Sequence, residues 1–147
     1  MNLIETETCQ SIIDRLKQYI PASMSGSVLP YLDRPEEMTE DILTAVHPKG
    51  LYLVQFIEST AAGMEQMIFG VYTVAKGLSQ TSKLTRAAKL IVTGLQPSGT
   101  HRLELHEDKP VVEEGGIIMR CVSFRLNAPA VKPQESALTA AITELNI

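Results

Sequence analysis

The chain has 147 residues, of which 44% are hydrophobic and 20% are charged, and its formal net charge is −4. This length fits one domain with a core that needs no disulfides, and this apolar content argues against disorder over most of the chain. The acidic balance argues against a dedicated DNA-binding surface, because such surfaces usually carry an excess of basic residues. No window offers the ~18 uncharged apolar residues of a membrane span, so we expect no membrane partner.

The charge near the N-terminus and the spacing of the two cysteines indicate a cytosolic protein. Glu5 and Glu7 precede any basic residue, whereas a secretory signal begins with positive charge and continues with a longer apolar run. Cys9 and Cys121 are far apart and match no metal-binding spacing. In a reducing compartment, two free thiols are the default expectation.

The first third of the chain predicts a helix, a short strand and a second helix. Apolar residues recur at three- and four-residue spacing over 4–19, and Pro21 ends this helix. Residues 28–32 predict a short strand, which Pro30 restricts to an edge or an irregular segment. The second helix begins at 33–36, where proline and acids are typical of a first turn, and it ends at 47–50.

The middle of the chain predicts two long strands, 51–58 and 67–75, joined by the loop 59–66. Both strands carry apolar side chains on both faces, as Leu53 and Val54 illustrate, and such a strand needs cover on both sides. Because the few helices cover only one face well, we expect the second face to meet another subunit. The loop is longer than a tight hairpin requires, which leaves two readings open, an interaction arm and plain flexibility.

The last third predicts one helix, two strands and a variable end. Ser82 is a plausible N-cap for the helix, and residues 130–147 predict a linker and a weak helix that either docks on a neighbour or stays mobile. The predicted elements are a helix over 82–95, a strand over 101–107, a turn over 113–116 and a strand over 117–126. Together the elements predict one α+β (α/β) domain over 1–129, a mostly antiparallel sheet of four to five strands with helices packed on it.

Residues able to carry chemistry are few and poorly placed. His101 and His106 are five positions apart on one predicted strand, so they face opposite sides and cannot share a metal ion. His47 lies at a helix end, and Cys9 has no adjacent positive charge to lower its pKa. No phosphate-binding loop occurs, and Gly70 within a strand indicates a bulge or a close backbone contact. We therefore expect no catalytic residue, no metal, no cofactor and no enzymatic activity.

The densest charge cluster is acidic. Glu36, Glu37, Glu40 and Asp41 lie at spacings of three and four residues, which would place them on one face of the second helix. A solvated helix face is the simpler interpretation. The sharper interpretation is a surface that repels nucleic acid.

The order of segments also carries a family resemblance. An opening helix IIDRLKQYIP is followed by the acidic helix, the strand GLYLVQFIES, the strand FGVYTVAKGLS, the helix SKLTRAAKLIVTGL and the closing strand IIMRCVSFRLNAP. Over residues 3–129 this layout resembles the tail terminator (tail-completion) family of Mu-like bacteriophages and prophages. The sequence departs from the family pattern in the 59–66 loop, which is poor in charge, and in the 130–147 tail, which has no match.

The resemblance implies a structural virion component. Such a subunit forms a ring, typically a hexamer, on the end of the tail tube, stops tube polymerisation and provides the surface for head joining. The implied partners are further copies of the chain, the tail tube and sheath proteins, and a head-completion or connector protein. DNA would pass through the ring without specific binding. The implied location is the host cytoplasm during assembly and then the virion tail.

The resemblance also suggests which residues would make the ring. The loop residues Ala61, Ala62, Gly63, Met64 and Glu65 are the candidate subunit interface. The acidic residues Glu36, Glu37, Glu40 and Asp41 are candidates for the lining of the ring lumen.

Two alternatives to the virion reading remain open. The first is a small ligand-binding or regulatory α+β domain without catalysis, which would need a concave apolar pocket with a few polar groups. The second is a hydrolase that uses Cys9 or a histidine.

Overall fold

A computed structural model describes residues 4–61, 64–97, 101–129 and Thr143. Within these ranges three α-helices and six strands occur, which confirms the predicted α+β class. In chain order the elements are α1 (Ile4–Tyr19), β1 (Val28–Pro30), α2 (Glu40–Val46), β2 (Leu51–Ala61), β3 (Met64–Ala75), α3 (Leu78–Val92), β4 (Leu103–Asp108), β5 (Val112–Glu114) and β6 (Ile117–Pro129). Short 3₁₀ helices at Ala22–Ser27 and Tyr31–Asp33 flank β1.

The described strands form one mixed sheet in the order β1-β2-β3-β6-β4, with β5 pairing with another part of β6. β1 runs parallel to β2, and the other pairs are antiparallel. β5 was not predicted, because a turn was expected over 113–116. Gly115 and Gly116 have φ values of 60° and 81°, so they alone make the reversal and leave Glu114 free to pair with Ile117.

One face of the sheet is covered by α1 and α3, and we call it the helix face. Its core includes Tyr52, Phe69 and Phe124, all fully buried. The Tyr52 hydroxyl donates a hydrogen bond to the Leu84 carbonyl oxygen at 2.7 Å, which ties β2 to α3. Burial of these aromatic side chains is the main source of stability on this side.

The opposite face is covered by the chain itself, which corrects the expectation that another subunit must cover it. Leu51, Leu53 and Val74 are each at most 1% exposed. Leu43 of α2 is buried against them, and the partly buried Tyr31 and Met38 pack on the same cluster; Leu29, Tyr72, Ile117 and Met119 complete it. The irregular segment 31–46, which contains two short helical pieces, therefore covers the opposite face in place of a single long helix.

The predicted close contact at Gly70 is confirmed. Gly70 pairs with Gln55, and the register of β2 against β3 shifts between Phe56 and Glu58, which leaves Ile57 as an extra residue without a partner in this ladder. A Cβ atom on Gly70 would lie 2.8 Å from Ile57 Cδ1 and 3.3 Å from Cys121 Sγ. The missing side chain makes room for its neighbours on the opposite face.

Several predicted boundaries are wrong, for local reasons. α2 begins at Glu40 rather than at 33–36, because the Thr39 side chain accepts a hydrogen bond from the Ile42 amide and caps the helix there. α3 begins at Leu78 with Gly77 as its N-cap, so Ser82 lies inside the helix. The helix ends at Val92, before Gly94 with its φ of 86°.

A matched pair of threonine substitutions tests two opposite roles of a hydroxyl. Thr8 is fully buried, and its Oγ1 atom has no hydrogen-bond partner among the described residues. Thr8→Val keeps the shape and removes an unsatisfied polar atom, so we expect the free energy of unfolding to rise by about 1 kcal/mol. Thr39→Val removes the α2 cap and should lower it by about 1 kcal/mol. Urea denaturation of both variants measures the two signs, and a destabilised Thr8→Val protein would contradict the first.

Gly50→Ala should destabilise the protein by about 3 kcal/mol. Gly50 has a φ of 102°, and a Cβ atom there would lie 3.0 Å from the Val74 carbonyl oxygen and 2.4 Å from Leu84 Cδ1. Gly26→Ala is the matched control, because a Cβ atom at Gly26 meets nothing within 4 Å. Thermal unfolding of the two variants compares them, and equal melting temperatures would show that the turn before β2 tolerates a side chain.

Candidate interaction site

The predicted 59–66 loop is mostly strand. Ala61 ends β2, and Met64 and Glu65 begin β3, with Ala61 opposite Glu65. Ala62 and Gly63, the other two candidate interface residues, lie outside the described residues. The pairing continues to the end of the hairpin because β6 runs alongside as far as Pro129, so the start of β3 has a ladder on each side. We call the backbone of residues 59–61, 64–66 and 127–129 the distal ribbon.

The four candidate acidic residues do not share a helix face. Glu36 and Glu37 lie in the segment before the Thr39 cap, and only Glu40 and Asp41 belong to α2. All four are exposed. The Glu40 carboxyl group lies over the 115–116 turn, where a Cβ atom on Gly116 would come within 2.6 Å of it.

His47 is buried rather than solvated at a helix end. It is 6% exposed, and its Nδ1 atom lies 2.8 Å from Ser27 Oγ, within hydrogen-bond distance. Burial lowers the pKa of the imidazole below its usual value, because the charged ring would lose its hydration. No sequence pattern indicates this pair, because 20 positions separate the two residues. Both side chains lie where β1 and the end of α2 meet.

The thiols are not activated as nucleophiles. Burial raises the pKa of Cys9 to about 11, and Glu5 adds to this, against a lowering by the Phe56 backbone. Burial also raises the pKa of Cys121. Both groups are protonated at neutral pH, and a thiol is a much weaker nucleophile than a thiolate. Among the described residues, no three His, Cys, Asp or Glu side chains are grouped as metal ligands.

A surface cleft, which we call the first cleft, lies on the opposite face and has a volume of about 480 Å³. Leu53 and Val74 form its apolar floor, and Val112 of β5, which is 55% exposed, stands at its side. Glu36 and Glu114 stand on its rim. Its other lining residues are Tyr31, Arg34, Pro35, Met38, Thr39, Gly115, Ile117 and Met119. The charged lining residues, Glu36, Glu114 and Arg34, are all exposed, so the cleft combines an apolar interior with an edge of net negative charge.

The second cleft lies between α1 and β2 and has a volume of about 410 Å³. Its lining includes Cys9, Gln10 and Phe56, and Leu32 at its border is 88% exposed. Glu5 also lines this cleft, and its negative charge raises the pKa of Cys9 rather than activating the thiol.

The outer face of α3 is basic and partly apolar. Lys83, Arg86 and Leu90 follow one another at spacings of three and four residues, which puts them on one stripe of the helix. All three are exposed, Leu90 by 73%. Neither Lys83 nor Arg86 forms a salt bridge within the described residues.

The neighbouring cation Lys89 is occupied by an ion pair. Its Nζ atom contacts the Asp108 carboxylate, which also accepts a hydrogen bond from Arg120 Nε at 2.7 Å. Burial raises the pKa of Asp108, but the two cations outweigh this and hold it below its usual value. The triad of Lys89, Asp108 and Arg120 joins α3 to β4 and β6. Lys83 and Arg86 remain the cations of α3 that form no salt bridge within the described residues.

Charge is segregated along the chain and across the sheet. Residues 33–41 contain five acids and one arginine, whereas residues 66–103 contain five lysines or arginines and no acid. The first segment covers the opposite face, and α3 in the second segment covers the helix face. The helix face also carries α1, with three acids and two cations, so the contrast in charge is between the 33–41 segment and α3.

Comparison with known proteins finds similarity of structure without similarity of sequence. No family model matches the chain, and no curated protein matches it. The structure is similar to a chain from the virion of a native gene transfer agent (GTA) particle, with a TM-score of 0.56 and 12% sequence identity. The match covers 88% of this chain and 100% of that chain. At this identity the likeness establishes a shared fold.

None of the helices in the described ranges has both the length and the apolar character needed to cross a bilayer.

Acidification should destabilise the protein through His47. The unfolded pKa is 6.5 and the folded pKa is lower, so below pH 6.5 the unfolded chain binds a proton that the folded chain does not. The free energy of unfolding should therefore fall as the pH drops from 6.5 towards the folded pKa. Urea midpoints measured between pH 7.5 and about 5 for the wild type and His47→Asn isolate this effect. Equal slopes for the two proteins would contradict it.

Proposed function

We propose that the protein is a non-enzymatic structural component of a phage-like virion, and more specifically a tail terminator subunit. The observation that carries the proposal is the fold shared with a virion chain over the whole length of that chain. The order of segments that resembles the Mu-like tail terminator family points to the same class of particle. The proposal contains no catalytic step and needs no cofactor.

In this proposal, copies of the chain form a ring, most simply a hexamer, on the end of the tail tube. The ring ends tube polymerisation and offers its free side to a head-completion or connector protein, with the sheath as a further partner. Assembly takes place in the host cytoplasm, and the product is part of the virion tail. DNA passes through without specific binding, which a net charge of −4 per copy favours.

A closed ring needs two different surfaces on each copy, one meeting the other on the next copy. The distal ribbon, with Ala61, Met64 and Glu65 in its backbone, is a candidate for part of this contact. A three-stranded ribbon is a firmer support for an interface than a flexible loop, which was one of the two readings of the sequence, because the backbone of the ribbon is fixed by ladders. Glu37 and Asp41, which are exposed, remain candidates for the lumen.

The alternative of a small ligand-binding domain has one observation in its favour. The first cleft has the volume and the apolar floor of a ligand site. Its rim lacks the convergent set of buried polar groups that fixes a small molecule, since Glu36 and Glu114 are exposed. Deletion of the coding sequence separates a virion role from ligand binding, because only the loss of a virion component should alter the tails.

Deletion of the coding sequence from the phage-like element that carries it tests the proposal. We expect tail tubes of unregulated length and heads that lack tails, because nothing would stop tube growth or offer a joining surface. Negative-stain electron microscopy of induced lysates measures both. Complementation by the wild type and by the control variant Gly26→Ala should restore normal tails.

Normal tail length and complete particles after deletion would overturn the terminator function. Absence of the protein from purified particles, measured by mass spectrometry, would overturn the wider virion role.

A further inference from the structure

We propose that the outer face of α3 of one copy docks in the first cleft of the next copy, so that copies associate head to tail. The inference rests on the proposed function for its setting, a ring of identical subunits, and it names the two surfaces that would make the ring. The occupant of the cleft is therefore a second copy of this chain.

The cleft has room for an apolar side chain, and two carboxylates lie at its edge. Its floor is closed by Leu53 and Val74, which are already buried, while Val112 at its side remains 55% exposed. An apolar group entering the cleft would cover Val112 and lose water from both surfaces. The carboxylates of Glu36 and Glu114 on the rim would flank that group.

The α3 face has the complementary pattern. Leu90 is 73% exposed, so a second copy could cover its apolar side chain. Lys83 and Arg86 lie on the same stripe and form no salt bridge within the described residues. A docked α3 would place Leu90 in the cleft and these two cations against the rim carboxylates of Glu36 and Glu114.

Charge complementarity explains why the occupant is another copy. Glu36 and Glu114 border the cleft together with one cation, Arg34, so its border is net negative. The cations of α3 lie on the other side of the sheet. Each copy therefore attracts the opposite side of its neighbour and repels the same side.

The same placement fixes the symmetry. Because the two surfaces lie on opposite faces of the sheet, one copy cannot satisfy both with a single partner in a two-fold dimer. The contact is heterologous, and such contacts close into rings when the rotation between copies allows it. The inference places Glu36 at the contact between copies rather than in the lumen.

Charge reversal provides the test. The first variant carries Lys83→Glu and Arg86→Glu, and the second carries Glu36→Lys and Glu114→Lys. Each variant alone has the same sign on both surfaces, so we expect its self-association to weaken at least about tenfold. Mixed in equal amounts, the two variants have complementary surfaces at every contact and should associate again, in alternating order. Sedimentation velocity at rising concentration measures all three samples.

Matched controls separate the docking surfaces from general charge effects. The double variant Lys17→Glu and Lys49→Glu changes the net charge as the first variant does, but on exposed residues outside both surfaces. It should leave association unchanged. Leu90→Ala should weaken association roughly tenfold. Leu78→Ala is its control, because Leu78 is 58% exposed on the same helix. It lies about three turns from Leu90 along α3 and about 120° from it around the helix axis.

Three outcomes would overturn the inference. They are a wild type that stays monomeric up to about 1 mM, reversed variants that associate like the wild type, and a mixture that fails to recover although both variants are folded. Failure here and failure of the proposed function are distinguishable. A protein found on tails whose reversed variants still assemble refutes only the docking surfaces, and a protein that shows charge rescue but is absent from particles refutes only the virion role.

Discussion

The structure depends on one constraint, which is that β2 and β3 carry apolar side chains on both faces and must be covered twice. On the helix face, α1 and α3 bury Tyr52, Phe69 and the residues around them. On the opposite face, the described residues supply no long helix, and the irregular segment 31–46 closes over Leu51 and Leu53. The double cover lets a central strand pair with no polar face be buried within a single chain.

The two segments that cover the opposite face and part of the helix face also differ in the sign of their charge. The segment over the opposite face has only short helical pieces and carries the acids of 33–41, while α3 over the helix face carries cations and no acid. A sheet between the two keeps them from neutralising each other within one copy. Opposite charge on opposite faces favours repeated head-to-tail contacts, which is the symmetry a ring subunit needs.

The candidate interface shows how local patterns can mislead. Small and polar residues at 59–66 indicate a loop, yet β2 and β3 continue through most of them because β6 pairs with β3 as far as Pro129. That support comes from residues more than 60 positions away, and no local rule contains it. The acidic residues illustrate a related point, since the Thr39 cap starts α2 late and removes Glu36 and Glu37 from the helix.

The sequence by itself determined the α+β class, the bounds of α1, the presence of a short strand that begins at Val28 and the two-sided burial of the central strands, because these follow from periodicity and from proline. It also revealed the close contact at Gly70, because a glycine inside an apolar strand needs a neighbour that fills its place. Only the tertiary structure decided which segment covers the opposite face, that Ser27 meets His47, and that an apolar cleft opens beside the acids of 33–41. Each of these depends on pairs of residues far apart in the chain, brought together by the order of strands in the sheet.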